Sequence, residues 1–169
     1  ELRDGYIKNN RLDTVLLTPT TKSDIHDELI SASEVVSQGH MSQEHWDICE
    51  KYAYELFKYG QEVCAEKGLI LVDTKYEFGL DNGGNVCLID EVHTPDSSRF
   101  WFAHNYHERH SNNLEPDYID KEFIRKWVKK TYTDPYQEGL EITISDEMIR
   151  ELSLRYLMLY ELITGQSFT

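Results

Sequence analysis

The sequence predicts an α+β fold in which an antiparallel sheet is flanked by helices. Residues 70–78 alternate in the manner of a strand, with successive side chains on opposite faces. Asp81-Asn82-Gly83-Gly84 follows, and its residues accept the positive φ that a hairpin turn requires. Long amphipathic helical patterns lie on either side, over residues 42–67 and 145–164. Short antiparallel strands between helices are typical of the α+β class.

The first segment of the chain is predicted to be a linker and substrate loop. Residues 1–30 are polar, read as extended, and carry Pro19 within a threonine-rich run. Ser31 and Glu34 then have capping-box spacing, which predicts a short helix that ends at Gly39. Residues 31–169 are therefore assigned to one folded lobe.

A long helix is predicted next, capped by Ser42 and ending at Lys67, with Gly68 as the residue that stops it. Its apolar stripe indicates that one face packs on the sheet. The stripe consists of Cys49, Ala53, Leu56, Phe57, Gly60, Val63 and Cys64. Because these cysteines and Cys87 form no Cys-x-x-Cys pair, the pattern favours buried, reduced thiols in a cytosolic protein.

Two further helices are predicted after the hairpin. A polar segment over residues 103–117, expected to be an exposed loop, leads to a helix from about Asp120. The last helix runs from Ser145 to Thr164, and Gly165 stops it. One set of its apolar side chains is expected to face inward: Ile149, Leu152, Tyr156, Leu159 and Ile163.

Charge and length exclude several classes of protein. The 169 residues carry a formal net charge of −14, and the pI is about 4.8. Nucleic acid is therefore not an expected partner, since phosphate backbones bind to basic surfaces. The sequence also contains no apolar run of bilayer length and no signal-peptide pattern, so we expect neither a membrane partner nor secretion, and assign the chain to the cytoplasm.

Four charged side chains are predicted to share one face of the hairpin. If Asn82-Gly83 is the centre of the turn, Lys75 lies across from Asp90, and Glu77 lies across from Leu88. Asp73, Lys75, Glu77 and Asp90 then share a face of an otherwise apolar ribbon, where burying charge is costly. Carboxylates and a lysine in this arrangement suit a Mg²⁺-nucleotide site. A solvated hairpin face with ordinary cross-strand salt bridges is the alternative.

The loop Thr94-Pro95-Asp96-Ser97-Ser98-Arg99 is a candidate anion site. An arginine fork matches a phosphate or a carboxylate, and serine hydroxyls complete such a pocket. The same residues are also common in turns that have no function. Because the loop follows a face of metal-binding type, the combination favours a functional site.

A basic helix and two histidine groups are further candidates. Lys121 and Arg125 are four residues apart on one helical face and could reach an anion, although from the residues alone a solvated basic face is the favoured explanation. His26-Asp27 could be a general base with its orienting carboxylate, or only a helix start. His104, His107 and His110 could mimic a metal site, but no further ligands complete it.

At these residues the chain closely resembles the phosphoribosylaminoimidazole-succinocarboxamide synthases, or SAICAR synthetases, which are ligases of purine biosynthesis. Four motifs carry the resemblance in the order of the family: LLTPTTKSDIHDE (Leu16 to Glu28), DTKYEFG (Asp73 to Gly79), IDEVHTPDSSRFW (Ile89 to Trp101) and DKEFIRKW (Asp120 to Trp127). The resemblance covers most of residues 12–165. It implies the C-terminal lobe of a two-lobed, ATP-grasp-like SAICAR-synthetase fold.

The resemblance also implies an ATP-driven amide formation. The carboxylate of carboxyaminoimidazole ribonucleotide attacks the γ-phosphate of ATP and gives an acyl phosphate. The amino group of L-aspartate then displaces phosphate, and the succinocarboxamide, ADP and phosphate result. Such chemistry requires Mg²⁺ to screen the phosphates, an anion site for the ribonucleotide, and exclusion of water.

The family motifs imply a role for each candidate residue. Glu77 and Asp90 would bind Mg²⁺ and the ATP phosphates, and Lys75 would contact a phosphate or the reacting carboxylate. Ser98 and Arg99 would hold the ribonucleotide phosphate. The other implied positions are Asp96 near the imidazole, Asp73 supporting Lys75, Lys121 and Arg125 lining the substrate site, and Lys22, His26 and Asp27 beside the aspartate and imidazole substrates.

Two departures from the family lead to further expectations. His93 occupies a position that is more often aliphatic in the family. The sequence also begins at the linker before Thr-Pro-Thr-Thr-Lys, so the N-terminal ATP-binding lobe is expected to reside in a separate chain or a missing segment, and residues 1–169 alone are expected to be inactive. The sequence does not decide whether the chain forms a homo-oligomer. The alternatives are a non-catalytic fragment that binds a partner or nucleotide, and a Mg-dependent small-molecule kinase.

Overall fold

The computed structural model describes residues 4–22 and 27–168, and within them it contains five helices and four strands. The α+β class with small antiparallel sheets is therefore confirmed. In chain order the elements are α1 (Ala32–Ser37), α2 (Gln43–Glu66), β1 (Leu69–Thr74), β2 (Phe78–Leu80), β3 (Val86–Leu88), β4 (Ser98–Phe102), α3 (Tyr106–Ser111), α4 (Glu122–Thr131) and α5 (Asp146–Thr164). None of the helices in the described ranges is both long and apolar enough to cross a membrane.

The chain divides into two compact units. The first unit contains residues 4–10, 60–75 and 91–168 of the described part, and the second contains residues 11–22, 27–59 and 76–90. The most buried large side chains of the first unit are Leu69, Leu71, Phe100, Ile119 and Leu159. In the second unit the buried side chains are Val35, Trp46, Cys49, Ala53 and Phe57.

The helix boundaries follow the capping signals closely. The Ser31 hydroxyl accepts from the Glu34 N–H at 3.2 Å, and the Glu34 carboxylate accepts from the Ser31 N–H at 2.9 Å, which confirms the capping box of α1. The Ser145 hydroxyl accepts from the Met148 N–H at 3.3 Å, and Gly165 ends α5 with a φ of 69°. Local side-chain chemistry therefore sets where these helices begin and end.

The predicted hairpin is wrong in its length and register. Strand pairing runs only from Phe78 opposite Leu88 to Leu80 opposite Val86, so a loop of residues 81–85 replaces the expected two-residue turn. The Asp81 carboxylate closes that loop by accepting from the Gly83 and Asn85 N–H groups, both at 2.8 Å. The pairing is displaced by one residue from the predicted register. Since strand side chains alternate, that displacement removes the predicted shared face.

Strand β1 pairs with β4 rather than continuing into the hairpin. The two strands are antiparallel, with Leu71 opposite Phe100 and Thr74 opposite Ser98, and the register is interrupted between Leu71 and Asp73. Such a bulge re-aims the side chains that follow it. Residues 117–119 line the other edge of β4, because the Phe102 N–H bonds the Asp117 carbonyl at 2.9 Å and the Ile119 N–H bonds the Phe100 carbonyl at 3.2 Å.

Within the described part of the segment predicted as a linker, Thr20 and Leu29 form an antiparallel bridge. Two smaller predictions need correction. The segment predicted as a polar loop contains α3, and the His107 and His110 rings lie 5.2 Å and 5.7 Å from the Tyr106 ring. In α5, Leu159 is buried as expected, but Ile149 is half exposed.

The cysteine prediction agrees with the structure. Cys49, Cys64 and Cys87 are free thiols, and the first two are buried on α2. Burial raises the pKa of the Cys64 thiol to about 11, because the charged thiolate is poorly solvated there. The two α2 thiols therefore behave as small apolar side chains of the helix stripe.

We expect Gly60→Ala to destabilise the protein, because no space exists for a methyl group at this point of α2. A Cβ atom on Gly60 would lie 2.3 Å from Cε1 of His93 and 2.8 Å from Cδ2 of Leu71. Overpacking of this kind costs about 1–3 kcal/mol. That cost exceeds the gain of roughly 1 kcal/mol from replacing glycine by alanine within a helix. Chemical denaturation of the wild type and the variant measures the difference.

The double variant Gly60→Ala/His93→Ala is the matched control. Removing the imidazole eliminates the nearest contact and leaves only that with the flexible end of Leu71, so the alanine at position 60 should cost less in the His93→Ala background than in the wild type. A Gly60→Ala protein that is as stable as the wild type would contradict this close contact.

Candidate active site

The loop before β4 is held by its own hydroxyl groups. The Ser97 N–H donates to the Thr94 hydroxyl at 3.1 Å, and the Thr94 N–H donates to the Ser97 hydroxyl at 3.2 Å. The Thr94 hydroxyl also donates to the Glu91 carboxylate. The Ser98 N–H bonds the Thr94 carbonyl at 3.0 Å, so the turn is closed by backbone as well. Short polar side chains that bond the nearby backbone are a recurrent way to fix turns.

Ser98, which was predicted to hold a phosphate, bonds the neighbouring strand in this structure. Its side chain is only 3% exposed, and its hydroxyl donates to the Thr74 hydroxyl at 2.8 Å across the β1–β4 pair. The hydroxyl therefore links the two strands. Ser97, which sequence analysis did not assign, is the more accessible serine of the loop and lies 3.2 Å from the Ser98 hydroxyl. The pattern that could have identified Ser97 is a pair of hydroxyl residues, Thr94 and Ser97, three positions apart in a turn.

Arg99 and Asp73 form a two-point ion pair. The Arg99 Nε lies 2.9 Å from Oδ1 and 3.0 Å from Oδ2 of Asp73, and Nη2 also donates to Oδ2. This contact raises the pKa of the Arg99 guanidinium above its ordinary value. In the described part of the chain, the hydrogen bonds of this pair use Nε and Nη2, and the Arg99 side chain is 47% exposed. Asp73, predicted to support Lys75, therefore orients the arginine, and a guanidinium held in this way can meet an anion through its remaining N–H groups.

The start of α4 is tied to the same loop. The Lys121 ammonium lies 3.1 Å from Oδ1 of Asp96, and the Lys121 N–H donates to the Pro95 carbonyl at 3.2 Å. The Lys75 N–H, at the end of β1, donates to the Ser97 carbonyl at 3.1 Å. Arg125 lies one turn along α4 and is 3.9 Å from the Glu122 carboxylate. The first unit thus brings Asp73, Lys75, Asp96, Arg99 and Lys121 to one loop, with Arg125 on the adjoining helix.

Two residues that were not assigned to the site from the sequence interact electrostatically with its charged groups. Asp120 is fully buried, and burial raises the pKa of its carboxyl group above the ordinary value. Tyr156 of α5 was predicted only as a core residue. Burial, followed by the negative charges of Asp96, Asp120 and Glu91, raises the pKa of the Tyr156 hydroxyl to about 12. Its phenol therefore stays protonated near neutral pH and is within electrostatic range of the loop.

The second unit holds the other predicted group. The Lys22 ammonium lies 2.7 Å from each oxygen of the Glu77 carboxylate, whose side chain is 19% exposed. The Ile89 N–H donates to the Glu77 carbonyl at 2.9 Å, which places Asp90 one residue beyond the paired end of the hairpin. Asp27 is half-buried in this unit, whereas His26 lies outside the described residues. Lys22, predicted beside the substrates, is therefore a direct partner of a predicted metal ligand.

The carboxylates of this unit fit a Mg²⁺ site in their chemistry. Magnesium usually takes one or two protein carboxylates and completes its shell with water and phosphate oxygens. Glu77 and Asp90 are the carboxylates predicted for this role, although the structure does not keep the hairpin register from which their shared face was predicted, and the Lys22 ammonium lies against Glu77. In the described ranges no three or more His, Cys, Asp or Glu side chains lie in a group that could hold a metal ion. His104, His107 and His110 therefore do not form a metal site. A site completed by phosphate oxygens is consistent with this donor set.

Comparison with known proteins identifies the family. The family model of SAICAR synthetase matches residues 1–143. The phosphoribosylaminoimidazole-succinocarboxamide synthase of Legionella pneumophila (strain Lens) is 50% identical over 165 residues, which is 98% of this chain and 53% of that protein. The chloroplastic protein of that name from Arabidopsis thaliana is 49% identical over 165 residues, or 98% of this chain and 40% of that protein. The chain thus spans about half the length of the curated relatives it matches.

Solved structures show the same fold. One described as "SAICAR synthetase (Type-2) in complex with ADP" matches with a TM-score of 0.67 and 27% identity, over 94% of this chain and 54% of that chain. Another, "SAICAR-synthase from Saccharomyces cerevisiae complexed SAICAR", matches with a TM-score of 0.65 and 27% identity, over 85% of this chain and 45% of that chain. Three observations agree: the family model matches, relatives are about half identical to the chain, and four sequence motifs of the family are present. The chain therefore belongs to the SAICAR synthetase family.

Proposed function

We propose that this chain forms the carboxylate-bearing part of an ATP-dependent ligase of purine biosynthesis. The reaction joins L-aspartate to the carboxylate of carboxyaminoimidazole ribonucleotide and releases ADP and phosphate. Family membership supports this proposal, as do the relatives named for complexes with ADP and with SAICAR. The chain would be the C-terminal lobe of a two-lobed, ATP-grasp-like enzyme that works in the cytoplasm.

The observation that carries the proposal is the pair of oriented cations beside the Thr94–Arg99 loop. Arg99 is held by Asp73, and Lys121 lies 3.1 Å from Asp96. A guanidinium fixed in this way can meet a phosphate through its remaining N–H groups without a further search for the right rotamer. We assign the ribonucleotide phosphate to Arg99, with Lys121 and Arg125 approaching from α4, and Asp96 to the imidazole.

The second unit would serve the ATP side of the reaction. Mg²⁺, when bound, would neutralise charge that develops on the transferred phosphoryl group. Glu77 and Asp90 would hold it, and Lys22, which is 73% exposed, can move from Glu77 toward an anion. Lys75, which belongs to the first unit, would contact a phosphate or the reacting carboxylate, and His26 and Asp27 would lie by the aspartate and imidazole. The reaction also requires that water be excluded from the acyl phosphate.

The chain spans about half the length of its relatives, so we propose that the rest of the family sequence completes the site. A covalently joined segment and a second polypeptide would serve equally well. Either would contribute the cations that balance the charge of −14. Measuring the mass of the active species in solution would show whether it is a homo-oligomer.

The test is a three-substrate assay on the complete protein. We expect the succinocarboxamide, identified by mass spectrometry, and ADP to form in equal amounts, and only when ATP, Mg²⁺, L-aspartate and the ribonucleotide are all present. A stable phosphorylated product formed without aspartate would instead indicate a small-molecule kinase. Binding of nucleotide without turnover under every condition would indicate a non-catalytic protein.

A further inference from the structure

We infer that Asp120 is a positioning residue that sets Arg99 and Lys121 for the phosphate of the substrate. The inference rests on the proposed function of those two cations. Asp120 itself is fully buried and has no access to a ligand, so it would act only through its neighbours.

Both oxygens of Asp120 are used, and each bonds a backbone group next to a site residue. Oδ2 accepts from the Phe100 N–H at 2.8 Å, and Phe100 directly follows Arg99 in β4. Oδ1 accepts from the Glu122 N–H at 2.7 Å, where α4 begins directly after Lys121. One carboxylate therefore joins the strand that carries Arg99 to the helix start that carries Lys121.

A purely local turn would need only one of these bonds. A carboxylate that accepts from the N–H two residues onward makes a common polar turn at the surface of proteins. Asp120 instead reaches 20 residues back along the chain to Phe100 and is removed from water, where an ionised carboxylate is costly. Its charge is felt by Arg99, since Asp120 contributes to the raised pKa of that guanidinium. This cost and this placement are explained if the carboxylate fixes the spacing of the two cations.

The decisive variant is Asp120→Asn. The amide keeps the size of the side chain and one acceptor oxygen, but its nitrogen cannot accept from a backbone N–H, so one of the two links is lost. In the complete protein we expect the KM for the ribonucleotide to rise roughly tenfold, the scale of one lost buried hydrogen bond. The kcat and the KM values for ATP and aspartate should change less than about twofold.

The matched control is Ile119→Val. Ile119 is the neighbouring residue, is 1% exposed, and contacts no ligand in the proposed site. The Ile119→Val variant should unfold at a slightly lower denaturant concentration than the wild type and leave every kinetic constant unchanged. Asp120→Ser is a second variant, because its hydroxyl can still accept from the Glu122 N–H but is too short to reach Phe100. Its ribonucleotide KM should rise at least as much as that of Asp120→Asn.

Calorimetric titration with the ribonucleotide alone separates this inference from the proposed function. If the wild type binds the ribonucleotide but does not turn it over, the ligase proposal is overturned. The Kd values of the wild type and Asp120→Asn can still be compared in that case. Weaker binding by the variant supports the inference. Equal Kd and KM values in wild type, Asp120→Asn and Asp120→Ser would overturn it and leave Asp120 with a role in stability alone. Absence of ribonucleotide binding by the wild type would overturn both proposals.

Discussion

Replacing Glu77 by glutamine is expected to lower kcat about a hundredfold or more in the complete protein, and Asp90→Asn should do the same. Losing one preorganised electrostatic group at a site of charge development typically has this effect. Both substitutions are nearly isosteric. The fold should survive, because the amide oxygen of glutamine can still accept from the Lys22 ammonium, and that ammonium is 73% exposed to water. Steady-state kinetics at a series of Mg²⁺ concentrations measures both the loss of kcat and the metal requirement.

Glu55→Gln is the matched control for this experiment. Glu55 is an exposed carboxylate on α2 of the same unit, 4.0 Å from Lys51, and it also belongs to a lysine–glutamate pair. Its replacement should leave kcat and the Mg²⁺ dependence unchanged. If Glu77→Gln and Asp90→Asn retain nearly normal kcat, these carboxylates form only an ordinary solvated hairpin end.

Arg99→Lys should weaken ribonucleotide binding by about 1.5–3 kcal/mol, the range for a hydrogen bond to a charged group. This corresponds to a rise in KM of roughly ten- to hundredfold. Lysine keeps the positive charge but lacks the planar guanidinium with its several N–H donors. It therefore cannot bond Asp73 at two points and also bind a phosphate. The KM values for ATP and aspartate should be almost unchanged. Measuring all three KM values decides the assignment.

Arg109→Lys provides the comparison. Arg109 lies 3.2 Å from Asp117 in the same unit and is also paired with a carboxylate, but it is outside the loop. Its replacement should affect none of the KM values. A rise in the KM for ATP with an unchanged ribonucleotide value in Arg99→Lys would assign the loop to the nucleotide instead.

The helices could be predicted because their signals are local. Ser31, Ser145 and Gly165 determine helix ends through contacts within a few residues, and the stripe of α2 determines its buried face. The partner of β1 could not be predicted in this way. Alternation over residues 70–78 is the same whether a strand pairs with its neighbour in the chain or with β4, which lies more than 20 residues away.

The residue types of the site were predictable, but their pairing was not. Asp73, Asp96, Arg99 and Lys121 were all named from their chemistry, yet the Asp73–Arg99 pair depends on the β1–β4 register. Asp120 gave no sign of burial in the sequence, because an aspartate before a helix is commonly exposed. The family roles of the assigned residues stay predictions until the variants are measured.

The hydroxyl contacts of the Thr94–Ser97 turn affect the entropy of binding. Thr74, Ser98, Ser97 and Thr94 form a continuous series of contacts that ends at the Glu91 carboxylate. Fixing the backbone of a free residue costs about 1–2 kcal/mol, and here that cost falls on folding rather than on ligand association. A ligand therefore meets a loop that is already ordered. Side chains in this series that never touch the ligand can still strengthen its binding.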